Sequence, residues 1–234
     1  MPMYDRSPPT DPRIVDRWDE GVGWIAHPDE TGKRASYLIA GSDGVWLFDP
    51  LDIPSLDELV ADYGELAGVA ICSNYHARDA DAIARRHDVP IYVPRWLRRL
   101  EGRFSSTVEW CSSTFGSSGF ELFRYSPLPG YDEAIAYRKC NGTLYVPDAL
   151  GTAPFYTVGS ERLACYGVIR LVPPRSFFEQ FDPDRVLVGH GEGAFTDVGA
   201  ALEDALAGAR RRLPTALRKH GSTQLRGLLA ALGG

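Results

Sequence analysis

Gly68-Val69-Ala70-Ile71-Cys72, followed by Ser73-Asn74-Tyr75-His76-Ala77-Arg78-Asp79-Ala80-Asp81, is the stretch on which the fold turns. Five residues in a row without polar alternation suit a strand buried on both faces. The polar loop that follows carries His76, Arg78 and Asp79 together. Helical residues then run to about His87, and Val89 to Val93 forms another apolar run closed by Pro94. Strand, loop, helix and strand make a βαβ unit, and such units gather ligands at the carboxyl ends of their strands. The segment Ser73 to Asp81 lies at such an end.

Working outward, Gly23 to His27 and Ala35 to Ala40 are expected as strands. Gly41 to Gly44 is expected as a turn, and Val45 to Phe48 as a strand ending at Asp49-Pro50. Ser55 to Tyr63 has helical spacing, with Ser55 and Glu58 placed as a capping box. Downstream, Thr107 to Ser118 reads as a loop with short strands. Phe120 to Tyr125, Glu133 to Arg138 and Thr143 to Val146 read as strands, with Asn141-Gly142 as a hairpin turn. Gly151 to Asp184 is rich in proline and aromatics and takes no assignment. Arg185 to Val188 is a last strand, followed by the glycine turn Gly189 to Gly193. Val198 to Leu213 is a helix that Pro214 should interrupt, with helical segments continuing toward Gly233. Residues 1–12, with four prolines, are expected as a flexible arm.

The order of these pieces resembles the metallo-β-lactamase superfamily from about Ser36 to Leu206. The residues that carry the likeness are Tyr37-Leu38-Ile39, Leu47-Phe48-Asp49-Pro50, Gly68 to Asp81, Leu144 to Asp148, and Val186 to Gly191. The resemblance implies an α+β, four-layer αβ/βα sandwich as one domain over 13–234. Its two βα halves would span 13–128 and 129–213, with a helical extension at 214–234. It also implies a metal site built from a T-H-x-H-x-D-H loop, a P-G-H, an aspartate after a strand and a final histidine. Such a site holds metal through imidazole and carboxylate while a position stays open for water.

Set on that pattern, Asn74 replaces the first histidine and His76 keeps the second. Arg78 replaces the aspartate and Asp79 the last histidine. Pro129-Gly130-Tyr131 puts Tyr131 where P-G-H has its histidine. Asp148 and His190 match the remaining ligands. The ancestral cleft should therefore be lined by Asn74, His76, Arg78, Asp79, Tyr131, Asp148 and His190. A guanidinium only donates and cannot ligate a metal. Arg78 is expected to stand in for the metal charge, within salt-bridge range of Asp79 or Asp148.

Two functional readings follow. The expected one is an eroded site: no metal is held, and the cleft binds a small molecule or a protein partner without catalysis. The alternative is one zinc, iron or manganese ion held by His76, Asp79, Asp148 and His190 in a hydrolase of unknown substrate. Whether the chain is an enzyme stays open between them, as does a structural subunit role.

Composition narrows the partners. The 234 residues include 25 Lys and Arg against 31 Asp and Glu, a net charge of -6. That balance disfavours general binding to nucleic acid. The basic groups Arg95, Arg98, Arg99 and Arg103, and Arg210 to Arg212, read as solvated faces that could still touch an anion. Cys72, Cys111, Cys140 and Cys165 form no C-x-x-C pair, so a zinc knuckle is disfavoured and reduced thiols are expected. No apolar run suits a membrane span or a signal-peptide core, and a cytoplasmic protein is expected. Gly189, Gly191 and Gly193 lack G-x-G-x-x-G spacing, and Ser112 and Ser113 lack a G-x-S-x-G context. His27, His87 and His220 are expected to be surface or packing residues, and Asp49 to tighten a turn.

Overall fold

The computed structural model describes residues 2–232, with side chains described through Gly227. The first sheet has seven strands in chain order: β1 (Arg13–Trp18), β2 (Gly21–Ile25), β3 (Ala35–Ala40), β4 (Val45–Phe48), β5 (Leu66–Ala70), β6 (Ile91–Pro94) and β7 (Val108–Cys111). β1 to β4 form an antiparallel meander. From β4 onward the pairing is parallel, with α1 (Leu56–Tyr63) and α2 (Ala80–His87) as crossovers. The second sheet has the order β13-β10-β9-β8. Its strands are β8 (Glu121–Leu128), β9 (Tyr131–Arg138), β10 (Thr143–Val146) and β13 (Arg185–Val188), of which β10 and β13 run parallel. A small pair, β11 (Leu150–Gly151) and β12 (Ala164–Cys165), a short α3 (Arg175–Phe178) and the long α4 (Val198–Leu232) complete the chain.

The four layers follow from side-chain period. Successive strand residues face opposite ways. On β3 and β4, Leu38 and Leu47 pack with α1 and α2 residues such as Leu56 and Ile83. Their neighbours Tyr37, Ile39, Trp46 and Phe48 turn to the other face and meet Leu122, Ala136, Tyr145 and Leu187 of the second sheet. The outer face of that second sheet, with Leu144, Val146, Val186 and Val188, packs on Leu202, Ala205 and Ala209 of α4. Each large side chain buried this way stabilises by about 1.5–3 kcal/mol. The result is the expected α+β four-layer sandwich: helices, sheet, sheet, helix.

Several local expectations change. β1 was not read from the sequence. β8 belongs to the second sheet, so the halves divide before 121 rather than at 128. Ser55 makes no side-chain bond at the start of α1, so the capping box does not form. α4 runs unbroken through Pro214. Proline removes one ladder bond, but tertiary packing outweighs it. Ala209 and Ala216 are fully buried, His220 Nε2 lies 3.0 Å from the Thr157 carbonyl, and Gln224 Nε2 donates to the Phe155 carbonyl at 3.0 Å. The extension is thereby latched onto the segment that walls the cleft. No helix among the described residues is long and apolar enough to cross a membrane.

β1 also carries a buried acid. Asp16 accepts the Gly193 amide at 2.8 Å and the Tyr37 hydroxyl at 3.3 Å. Burial nevertheless pushes its carboxyl up to about 6. The folded protein therefore holds this proton more tightly than the unfolded chain. Its stabilising contribution is full below about pH 4 and is lost as pH rises through about 6. Asp16→Asn keeps an acceptor for Gly193 and removes the titration. In urea unfolding, the variant should gain on the parent by on the order of 2 kcal/mol between pH 4 and pH 7. Parallel stability profiles for the two proteins would refute this account of Asp16.

Candidate metal centre and its cleft

Four residues at the carboxyl ends of strands meet where the two sheets converge: Asp49 after β4, His76 beyond β5, Asp148 after β10 and His190 after β13. Asp49 is fully buried, with a left-handed φ of 44°. That turn points its carboxylate inward. Oδ1 accepts the Cys72 amide at 2.8 Å, and Oδ2 accepts the Tyr145 hydroxyl at 2.6 Å. Oδ2 also lies 2.8 Å from His76 Nδ1. On the other side, His190 Nδ1 lies 2.6 Å from the Gly32 carbonyl. A carbonyl only accepts, so this nitrogen carries the proton. The Asp49 carboxylate fixes the His76 tautomer in the same way.

Both Nε2 atoms consequently face inward, each 3.2 Å from Asp148 Oδ1. His76, Asp148 and His190 offer donor atoms that all lie within 4.8 Å of one another. Asp148 is itself held: its Oδ2 accepts the Ser73 hydroxyl at 2.6 Å, and its amide donates to Glu133 Oε2 at 2.8 Å. Tyr156 stacks on His190 at 5.9 Å and donates its hydroxyl to the Asp148 carbonyl at 2.8 Å.

The charges are polarised. Burial opposes ionisation of Asp148, yet the two histidines hold its carboxyl well below the usual range. Burial and the Arg78 charge oppose protonation of His76, but Asp148 and Asp49 outweigh them and raise it. Burial, reinforced by the Asp148 charge, lifts the Glu133 carboxyl well above the usual range. Burial and the paired histidines therefore drive the neighbouring Glu133 and Asp148 carboxyls in opposite directions.

The cleft over this cluster encloses about 390 Å³. Of the seven residues expected there, His76, Arg78, Asp79, Tyr131, Asp148 and His190 line it. Asn74 instead borders a neighbouring cavity. Its Oδ1 accepts the Arg99 amide at 3.3 Å and its Nδ2 faces Asp132 Oδ2 at 3.5 Å, so the side chain anchors the loop. Asp79 lies outside the donor cluster because its Oδ2 accepts the Asp52 amide at 2.8 Å.

Arg78 forms neither expected salt bridge. Its Nη1 donates to the carbonyls of Ala35 and Asp49, the latter at 2.6 Å, and its Nη2 donates to Gly189 O at 3.2 Å. Arg78 has a φ of 41°, and its side chain runs to these strand ends while Asp79 serves Asp52. Arg78 thus stitches the two sheets together through backbone oxygens. Its charge still opposes a cation beside His76.

The arm expected to be flexible is tied down at 2–5. The Thr31 and Gly32 amides donate to the Pro2 and Met3 carbonyls at 3.0 and 2.9 Å. The Tyr4 ring lies 6.4 Å from that of His190 and carries Arg34 at 5.2 Å. A side chain at Gly32 would meet the Tyr4 ring at 2.6 Å, so glycine permits this approach. The arm therefore backs the loop whose carbonyl orients His190.

No family model matches the sequence, and no curated protein does. Solved structures do match in shape. A metallo-β-lactamase from Pontibacter korlensis aligns with TM-score 0.60 and 14% identity, over 86% of this chain and 99% of that one. A mutant flavo di-iron protein from Thermotoga maritima gives 0.58 and 13%, over 86% of this chain and 63% of that one. The apo state of the chemotaxis sensor ODP from T. denticola gives 0.52 and 10%, over 83% and 93%. The chain has the metallo-β-lactamase fold. At these identities the likeness establishes the fold, and function has to come from the site.

Proposed function

We propose that the protein binds one transition-metal ion at His76, Asp148 and His190 and presents it to a small molecule held in the cleft, as a single-ion hydrolase would. The observation that carries this is the anchoring of both Nδ1 atoms, by Asp49 and by Gly32 O. Metal-bound histidines characteristically donate their second nitrogen to a carboxylate or carbonyl in this way. With each Nδ1 committed as a donor, both Nε2 atoms face one Asp148 oxygen. Positive charge must sit among these three atoms, and two histidines with one carboxylate form a ligand set that suits iron or zinc.

A second ion does not fit. Asn74 points elsewhere, Asp79 serves a backbone amide, and Arg78 contributes a fixed cation. When bound, the single ion would supply Lewis acidity and lower the pKa of a coordinated water. The chain's own residues supply the rest. Asp49 and Gly32 hold the ring orientations, Ser73 and Glu133 hold Asp148, and the aromatic walls limit water. The four unpaired cysteines suit a reducing, cytoplasmic setting.

The raised protonation of His76 favours one alternative: a proton on His76 supplies the positive charge in place of the ion, and the cleft binds its ligand without catalysis. Elemental analysis of protein purified without added metal or chelator, followed by zinc titration, separates the two. Close to one ion per chain is expected, with uptake abolished in His190→Ala. Absence of saturable uptake would establish the metal-free alternative instead.

A further inference from the structure

The chemistry of the ligand is written on the cleft walls. The chain as a whole is acidic, with 31 acidic against 25 basic residues. The cleft reverses that sign: Arg6, Arg34, Arg78, Arg99 and Arg103 line it against Asp5, Asp79 and Asp148, although Arg34 is already paired with the buried Glu30. All three acids are already engaged: Asp5 accepts the Ser7 amide and hydroxyl, Asp79 accepts the Asp52 amide, and Asp148 lies between two histidines. Low-dielectric walls lined by one sign of charge focus the field and concentrate the opposite ion.

Two buried donors add direction. Among the described residues, Tyr131 Oη and Arg78 Nε have no hydrogen-bond partner, and both residues line the cleft. A buried donor without an acceptor costs free energy, and a bound acceptor recovers it. The Tyr131 hydroxyl stays protonated, because burial and the nearby Glu133 and Asp148 charges raise it well above its ordinary value. It is therefore a donor. The remaining walls are flat and apolar: Tyr4, Tyr75, Phe155, Tyr156 and Tyr166. At the rim, the Arg99 guanidinium lies 5.2 Å over the Tyr75 ring, which joins the aromatic wall to the basic edge.

We propose that the cleft takes a small molecule with an oxyanion group, carboxylate or phosphate, on a flat apolar body, and that Tyr131 and the rim arginines receive the oxyanion. This rests on the reading of the cleft as the ligand site, but the recognition uses the chain's own donors and does not need the ion. Guanidinium groups match both carboxylate and phosphate geometry, and aromatic faces accept a ring of about phenyl size.

Calorimetric titration of metal-depleted and zinc-loaded protein with phenyl phosphate, benzoate and benzyl alcohol tests it. The metal-depleted protein should bind at least one of the two anions roughly tenfold more tightly than the neutral alcohol, a difference of about 1.4 kcal/mol. The stronger of the two identifies phosphate or carboxylate. Tyr131→Phe removes only the unpartnered hydroxyl, and Arg103→Gln changes an exposed side chain. Each should weaken the anion roughly fivefold or more and leave the alcohol unchanged. Melting curves of both variants verify that they fold. Equal affinity for anion and alcohol, no saturable anion binding, or variants that bind the anion like the parent would each overturn the proposal. Metal uptake without anion preference refutes this inference alone. Anion preference without metal uptake refutes the single-ion reading alone.

Discussion

Glu161→Gln should destabilise the protein by about 3–5 kcal/mol. Glu161 and Arg170 form an ion pair with both side chains fully buried. The two contacts are Arg170 Nη1 to Oε1 at 2.8 Å and Nη2 to Oε2 at 2.7 Å. Arg170 Nη2 also donates to the Tyr156 carbonyl at 2.8 Å, and Glu161 Oε2 accepts the Val158 amide at 2.8 Å. Glutamine would retain the shape but leave a guanidinium in the interior without its counter-charge. The cost of such an orphan charge exceeds the net worth of the pair. Arg212, 3.4 Å from Oε1, would lose an attraction as well. Urea unfolding measures the difference. The double change Glu161→Leu with Arg170→Met should recover part of it, not all, because Val158 N and Tyr156 O would lose partners. The site should register the single change too, since Tyr156 stacks on His190. A loss below about 1 kcal/mol would mean that water reaches the pair.

How much of this was legible in the sequence depends on the kind of signal. β3, β4, β10 and β13 were readable to the residue because each is a short apolar run between turn residues. The order of elements carried the family resemblance, and the resemblance implied the four layers. His76, Asp148 and His190 were readable because they match the ligand positions that the family resemblance implies, at strand ends where ligands gather. Asp49 follows one in the same way, and its position after Val45 to Phe48 was the available signal for a site role. Glu133 also left a trace, as an acid placed within the strand that runs from Tyr131 to Arg138. The Gly32 carbonyl left none, because a backbone acceptor has no side-chain signature. The direction of Arg78 and Asp79 was unreadable for a related reason. Motif position locates a Cα, but the left-handed φ of Arg78 and the competing Asp52 amide decide where the side chains go. The arm was misread because proline content argues against regular structure, not against hydrogen bonding to a loop.

Arg78→Met should move two measurements in opposite directions. The guanidinium donates to the carbonyls of Ala35, Asp49 and Gly189, which belong to strand ends of both sheets. Methionine fills similar volume but donates nothing. Charged hydrogen bonds contribute about 1.5–3 kcal/mol each, and water can reach part of this half-buried site, so a net loss of about 3 kcal/mol is expected. The metal-free variant should therefore melt well below the parent. The same change removes the cation that opposes positive charge at His76. Zinc affinity should then rise roughly tenfold, about 1.4 kcal/mol. Because a ligand that binds only the folded state stabilises by mass action, added zinc should raise the variant's melting temperature more than the parent's. Combining Arg78→Asp with Asp79→His, the pair expected of the family, should not create a second ion site. Asn74 still points to Arg99 and Asp132, and the Asp52 amide loses its acceptor. That variant should take up one ion at most. Weaker zinc binding in Arg78→Met would show that Arg78 holds the donor geometry more than it repels the ion, and two ions in the double variant would show that the cleft can rebuild the lost half from residues that now face away.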